Sequence, residues 1–246
     1  MSEYPRPGSG RRACPALSPW RLPALLLILL LLLLTPAWSA AEEPANGCHC
    51  FRDRAFDPAH TFLVDPYLQA TVMNSLLASR YAIAKREIVM ARMQDGAPAD
   101  DLLLALHLGE FAPEGWGQLL SDRRQGVPWL ELAARVAETT RADSPTAAGP
   151  LALQLMAGFP PSAVARLVVD DLLRHHFPSV AARLPQFRAQ GLQERELAVL
   201  LLLAREGSGN IEELIDLYLR QGKSLSQLAD LQGLSPANMG KRGLGE

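Results

Sequence analysis

Cys48, His49 and Cys50 put two thiols around one imidazole, the densest reactive chemistry in this chain. Covalent haem attachment needs two residues between the cysteines and a histidine after the second, so this order does not serve it. A disulfide, within the pair or to another chain, is one use. Another is a soft-metal site for copper or zinc, with both thiolates joined by His49 or His60. A third is a redox pair, because a bond closed across a single intervening residue is strained and easily reduced. A structural zinc site usually draws on four ligands at recognisable spacing, and no second cysteine pair follows. We therefore expect a disulfide at Cys48 and Cys50 and no bound cofactor. Cys48, His49, Cys50 and His60 are the ligands of the metal or thiol-redox alternative.

The compartment decides between these uses. Arg6, Arg11, Arg12 and Arg21 precede an apolar block from Ala24 to Leu34, with Glu3 the only acid before it. Pro36 ends the block, and Ala37, Ser39 and Ala41 offer small residues for cleavage. This is the pattern of a secretory signal peptide, and the block is short of the ~20 residues of a membrane-spanning helix. Removal of residues 1–41 is expected, with an uncleaved N-terminal anchor as the alternative. The mature chain then faces an oxidising compartment, periplasmic or secreted, where disulfides persist. It carries 25 acidic residues against 20 basic ones, and no electrostatic footprint for nucleic acid.

Other side chains invite chemistry and have plainer uses. Phe51 to Pro58 alternates charges and aromatics beside the cysteines, and reads as a turn-rich arm with Asp57-Pro58 initiating a turn. His107 and Glu110 lie three apart on one helical face, the reverse of the di-iron order, and the site is not repeated later in the chain. Glu110 near Trp116 resembles the raised acid of a glycan-cleaving groove, but no second carboxylate is placed for it. Asp170-Asp171 and His175-His176 read as a solvated face with local ion pairs. Leu225 to Arg242 has the spacing of a helix-turn-helix, yet Gly240, Gly243 and Gly245 break its second helix, so Ser235-Pro236 is expected to open a plain helical hairpin. No nucleophile elbow, phosphate loop, paired-histidine zinc motif or dinucleotide fingerprint is present.

The elements that position these residues are helical. Leucine and alanine dominate, and aromatic and β-branched residues are sparse. Asp65-Pro66 reads as an N-cap and a first-turn proline ahead of a helix to about Ser79. A helix follows from Lys85 to Met93. Asp100 opens another whose Leu102 to Leu106 run is apolar on every face and should be buried. Pro113, Pro128 and Pro161 start further helices, with Val164, Val168 and Leu172 on one stripe of the last. Pro185 limits the next helix. Leu197 to Ala204 is a second all-apolar run, and Asn210 and Ser224 open capping boxes.

Gly96 with Asp101-Leu102 matches Gly191 with Glu196-Leu197, 95 residues on. Arg124-Gln125-Gly126 with Trp129 matches Arg220-Gln221-Gly222 with Leu225, 96 residues on. A duplicated helical unit accounts for both, each glycine ending a helix in a left-handed conformation. We expect an all-α, short-helix bundle of about ten helices in this order: signal peptide 1–41, Cys-containing arm 42–64, helical unit 65–141, linker 142–150, helical unit 151–246.

The run Cys48-His49-Cys50-Phe51-Arg52-Asp53-Arg54-Ala55-Phe56-Asp57-Pro58, with Asp65-Pro66-Tyr67 and Asn74-Ser75, is similar to a group of exported bacterial all-helical proteins of unknown function. The likeness covers chiefly residues 48–108 and assigns no catalytic residue. The expected function is therefore non-enzymatic binding or scaffolding in the cell envelope, with an envelope protein or a second copy as partner. No stable membrane span is expected after signal cleavage.

Overall fold

Most helices form where the apolar stripes and proline punctuation place them, and no strand interrupts them among the described residues. The structure is a computed structural model that describes residues 54–93, 96–141, 149–207 and 209–240. The leucine block and the Cys48–Cys50 cluster lie outside the described residues.

Eleven α-helices run through the described residues. The first half contains α1 (Asp65–Tyr81), α2 (Lys85–Met93), α3 (Ala99–Gly109), α4 (Gly115–Arg124) and α5 (Trp129–Arg141). Then come α6 (Gly149–Met156), α7 (Pro161–His176), a 3-10 turn (Pro178–Arg183) and α8 (Leu184–Ala189). The chain finishes with α9 (Glu194–Glu206), α10 (Ile211–Leu219) and α11 (Leu225–Leu231).

Packing crosses between the two halves. α1 lies against α2, α7, α9 and α11, while α7 lies against α1, α3 and α6. The all-apolar runs fill the centre as their composition requires: Leu102, Leu104, Ala105 and Leu106 are buried, and so is every residue from Leu197 to Leu203. Leu68, Val72 and Leu76 of α1 and Val164, Val168 and Leu172 of α7 are fully buried in the same apolar cluster. At roughly 25 cal/mol per Å² of apolar surface removed from water, this continuous cluster is the dominant favourable term in the fold. Among the described residues no helix is long and apolar enough to cross a membrane.

Gly126 and Gly222, which close the two Arg-Gln-Gly stretches, have φ of +96° and +66°. A side chain there would be strained, which is why glycine follows the last turn of α4 and of α10.

Four sequence expectations need correction. Asp65 does not cap its own helix: Val64 occupies the N-cap without a side-chain bond, and the Asp65 carboxylate reaches another helix. Gly149 and Pro150, assigned to the linker, form the first turn of α6, where proline's missing N–H has no helical partner to lose. Glu213 does not complete a capping box at α10, because Asn210 alone accepts, from the Glu212 N–H. Ser235-Pro236 opens a single turn and no helix, Asn238 and Met239 both donating to the Ser235 carbonyl while Met239 is buried.

Candidate functional site

Of the four candidate ligands, the described residues include His60 alone. It sits in a turn built by Asp57: one carboxylate oxygen accepts from the Ala59 N–H at 2.8 Å, and the other meets His60 Nδ1 at 2.9 Å. The bond to His60, then that to Ala59, hold the Asp57 carboxyl below its ordinary range. Arg54 lies over the Tyr67 ring, 5.7 Å from its centre, and joins the arm to α1. Among the described residues no group of three His, Cys, Asp or Glu side chains is placed to hold a metal ion.

A buried polar joint fastens the end of the arm to the far end of the chain. Asp65 is 7% exposed, and its carboxylate accepts from the Leu225 N–H at 3.0 Å, the Ser226 N–H at 2.8 Å and the Ser226 hydroxyl at 2.7 Å. The Thr61 carbonyl lies 2.7 Å from the same hydroxyl. That hydroxyl carries one proton, so it serves one of these two acceptors at a time. Ser224 caps α11 from the other side by accepting from the Gln227 N–H at 3.0 Å. An anion at a helix N-terminus satisfies orphan N–H groups and the positive end of the dipole together. Phe62 and Leu63, inside this fastened segment, remain 59% and 52% exposed.

A second polar group forms where the last turns of α1 and α3 meet α7. Arg80 grips Glu110 with two bonds, 2.6 and 3.2 Å, and lies 3.6 Å from Asp171. His107 Nδ1 is 3.9 Å from Glu110, beyond hydrogen-bond range. Both ring nitrogens of His107 are buried without a hydrogen-bond partner among the described residues, as is the Tyr81 hydroxyl. Burial, outweighing Glu110 and Asp171, pushes the His107 imidazole below its ordinary value, so it stays neutral near pH 7. Burial, with Glu110 adding to it, raises the Tyr81 phenol well above its usual range. His107 and Glu110 therefore share a face, as their spacing requires. Glu110 is engaged by a cation, Arg80. Asp171 faces Arg80, and His175 lies edge-on to His176 with ring centres 5.0 Å apart.

Beyond α7 a pocket of about 400 Å³ opens between the Phe177–Val180 turn and the ends of α9 and α10. Arg205 is its charged residue. Its Nη1 donates to the His176 carbonyl at 3.3 Å, and its guanidinium lies 4.9 Å from the Phe177 ring centre. A smaller groove of about 250 Å³ between α8 and α10 has its charges paired internally, Arg183 with Glu212 and Arg220 with Asp216.

Sequence reasoning missed the Asp65 joint, the Arg80 clamp and the Arg205 pocket. Only His107 and Glu110 carried a local signal, their spacing of three. Comparison with protein-family models, curated proteins and solved structures finds no match to this chain.

Proposed function

We propose that this is an exported, non-enzymatic binding or scaffolding protein of the cell envelope, whose Cys-containing arm meets a partner protein. Its mature chain begins near residue 42, and Cys48 and Cys50 are oxidised, to each other or to the partner. The observation that carries this reading is the pair Phe62 and Leu63. Two adjacent large apolar side chains stay in water although a part-buried bond at Thr61 and buried bonds at Asp65 hold their segment in place. Single exposed apolar residues are common, but a fastened pair beside a reactive arm marks a contact surface.

Photo-crosslinking from positions 62 and 63 in intact cells tests it. Discrete adducts from both positions are expected, and none from the exposed Glu138 on α5. No adduct, or equal adducts from Glu138, would refute the proposal.

One observation favours metal handling through Cys48, His49, Cys50 and His60. Metal-binding histidines commonly engage a carboxylate through the other ring nitrogen, and Asp57 holds His60 Nδ1 in that way, leaving Nε2 as the ligand atom. Copper or zinc would be bound there by two thiolates and imidazole. Metal analysis and thiol titration separate the readings: bound metal with reducible thiols supports this one, and an unreactive disulfide without metal ends it.

A further inference from the structure

His107 is an ionisable ring sealed between four helices. Its side chain is 9% exposed, and among the described residues neither ring nitrogen has a hydrogen-bond partner. Leaving such a group unsatisfied is costly, so native structures rarely do it without a use. The two nitrogens face different neighbours. Nδ1 lies 3.9 Å from Glu110, and Nε2 lies 4.0 Å from the point where a Gly149 Cβ would sit, on the first turn of α6. Phe111 closes another side, edge-on to the imidazole with ring centres 5.8 Å apart, and 3.4 Å from that same point.

Few charged groups face the ring. Among the described residues they are Glu110 just past α3, Arg80 from α1 and Asp171 from α7. Tyr81 beside Arg80 stays neutral, and Gly149, Pro150 and Leu151 of α6 bring no titratable side chain. The two acids favour an imidazolium, but both already face Arg80, whose own charge opposes one. On the Nε2 side the start of α6 presents the positive end of a helix dipole. An added proton therefore meets a wall that cannot accept it, and the ring is charged at least cost by regaining water.

Which wall yields follows from how each is held. α1 and α7 have 17 and 16 residues and lie at the centre of the bundle. α6 has eight residues, packs on α5 and α7, and buries Leu151, Ala152 and Leu155. A helix of that length is not stable alone in water, and short, lightly buried elements open first. We propose that His107 is an acid-operated latch, and that its protonation releases α6 from the bundle. Release turns Leu151, Ala152, Leu155 and the α5 face beneath them to solvent, an apolar contact surface that is closed near neutral pH. The latch goes beyond the arm's role, and its failure leaves the crosslinking test untouched.

Hydrogen exchange of the full protein, read by mass spectrometry as protection factors at pH 7.5 and 5.0, tests it. Protection across α6 is expected to fall at least about fivefold more than protection across α9, since one group of this kind shifts an opening equilibrium by up to about tenfold per pH unit. H107L is expected to remove that extra fall. The His107 ring protons, followed by nuclear magnetic resonance in the unmodified protein, should titrate below pH 6.5 and together with α6 amide signals, a readout that stands should H107L fail to fold. Titration of His107 with α6 still protected, or at or above pH 6.5, would overturn the proposal. So would an equal loss of protection in α9, or the same α6 opening in folded H107L.

Discussion

Replacing Asp65 by alanine tests the joint that holds the arm and α1 to α11. The carboxylate receives three hydrogen bonds, two from backbone N–H groups in the first turn of α11 and one from the Ser226 hydroxyl. Hydrogen bonds to a charged group contribute roughly 1.5–3 kcal/mol each, and a buried donor left without a partner costs about 1–3 kcal/mol. These terms overlap, because Ser224 still caps α11 and the Ser226 hydroxyl can turn to the Thr61 carbonyl. We therefore expect D65A to lose about 3–5 kcal/mol, and D65N, which keeps one acceptor of the same size, about 1–2 kcal/mol. Urea unfolding followed by far-ultraviolet circular dichroism measures both, with the slope against urea unchanged. Limited proteolysis adds a positional readout, since residues 54–64 and α11 should become cleavable together. A D65A variant within about 0.5 kcal/mol of the parent would refute the reasoning, because surface substitutions away from structural features fall in that range.

Acid should destabilise the protein through His107. Its folded-state value lies below the ordinary 6.5, so the unfolded chain takes up the proton first. Stability is then full above about pH 6.5 and falls as pH drops below it, by at most about 1.4 kcal/mol per pH unit for this one group. H107L, carrying the residue found at the matching Leu202, should flatten that slope between pH 7.5 and 5.5, and an unchanged slope would contradict the assignment. His176, held low chiefly by burial, adds a slope of the same sign. Removing the clamp with R80M leaves Glu110 and Asp171 without their cation and should cost about 1 kcal/mol in urea unfolding, since all three side chains are partly exposed. E110Q should cost less, and the double variant should cost less than the sum of the two.

The sequence made the fold readable where one residue type dominates a face. The Leu102–Leu106 and Leu197–Leu203 runs read as interior and are buried except for the half-buried Leu103, and Val164, Val168 and Leu172 mark the buried stripe of α7. α6 was unreadable because eight residues give too few turns to show a period, and Gly149-Pro150 looks like loop composition. Asp65 misled for a physical reason. An aspartate before a proline is a good local cap, and nothing nearby in the chain reveals that Leu225 and Ser226 compete for the same carboxylate. The Arg80 clamp has the same character, since it joins α1, the residue that follows α3, and α7. The His107–Glu110 pair was legible because three residues is a helical spacing, although the cation that claims Glu110 was not. Of the metal candidates, His60 alone falls among the described residues, and its partner Asp57 was legible as a turn former.

Intact-mass spectrometry of the protein recovered from its own cells tests the export claim most directly. The account predicts a chain lacking about the first forty-one residues, found outside the cytoplasm. Cys48 and Cys50 should resist alkylation until a reductant is added. A full-length chain recovered inside the cell with both thiols open to alkylation would contradict it.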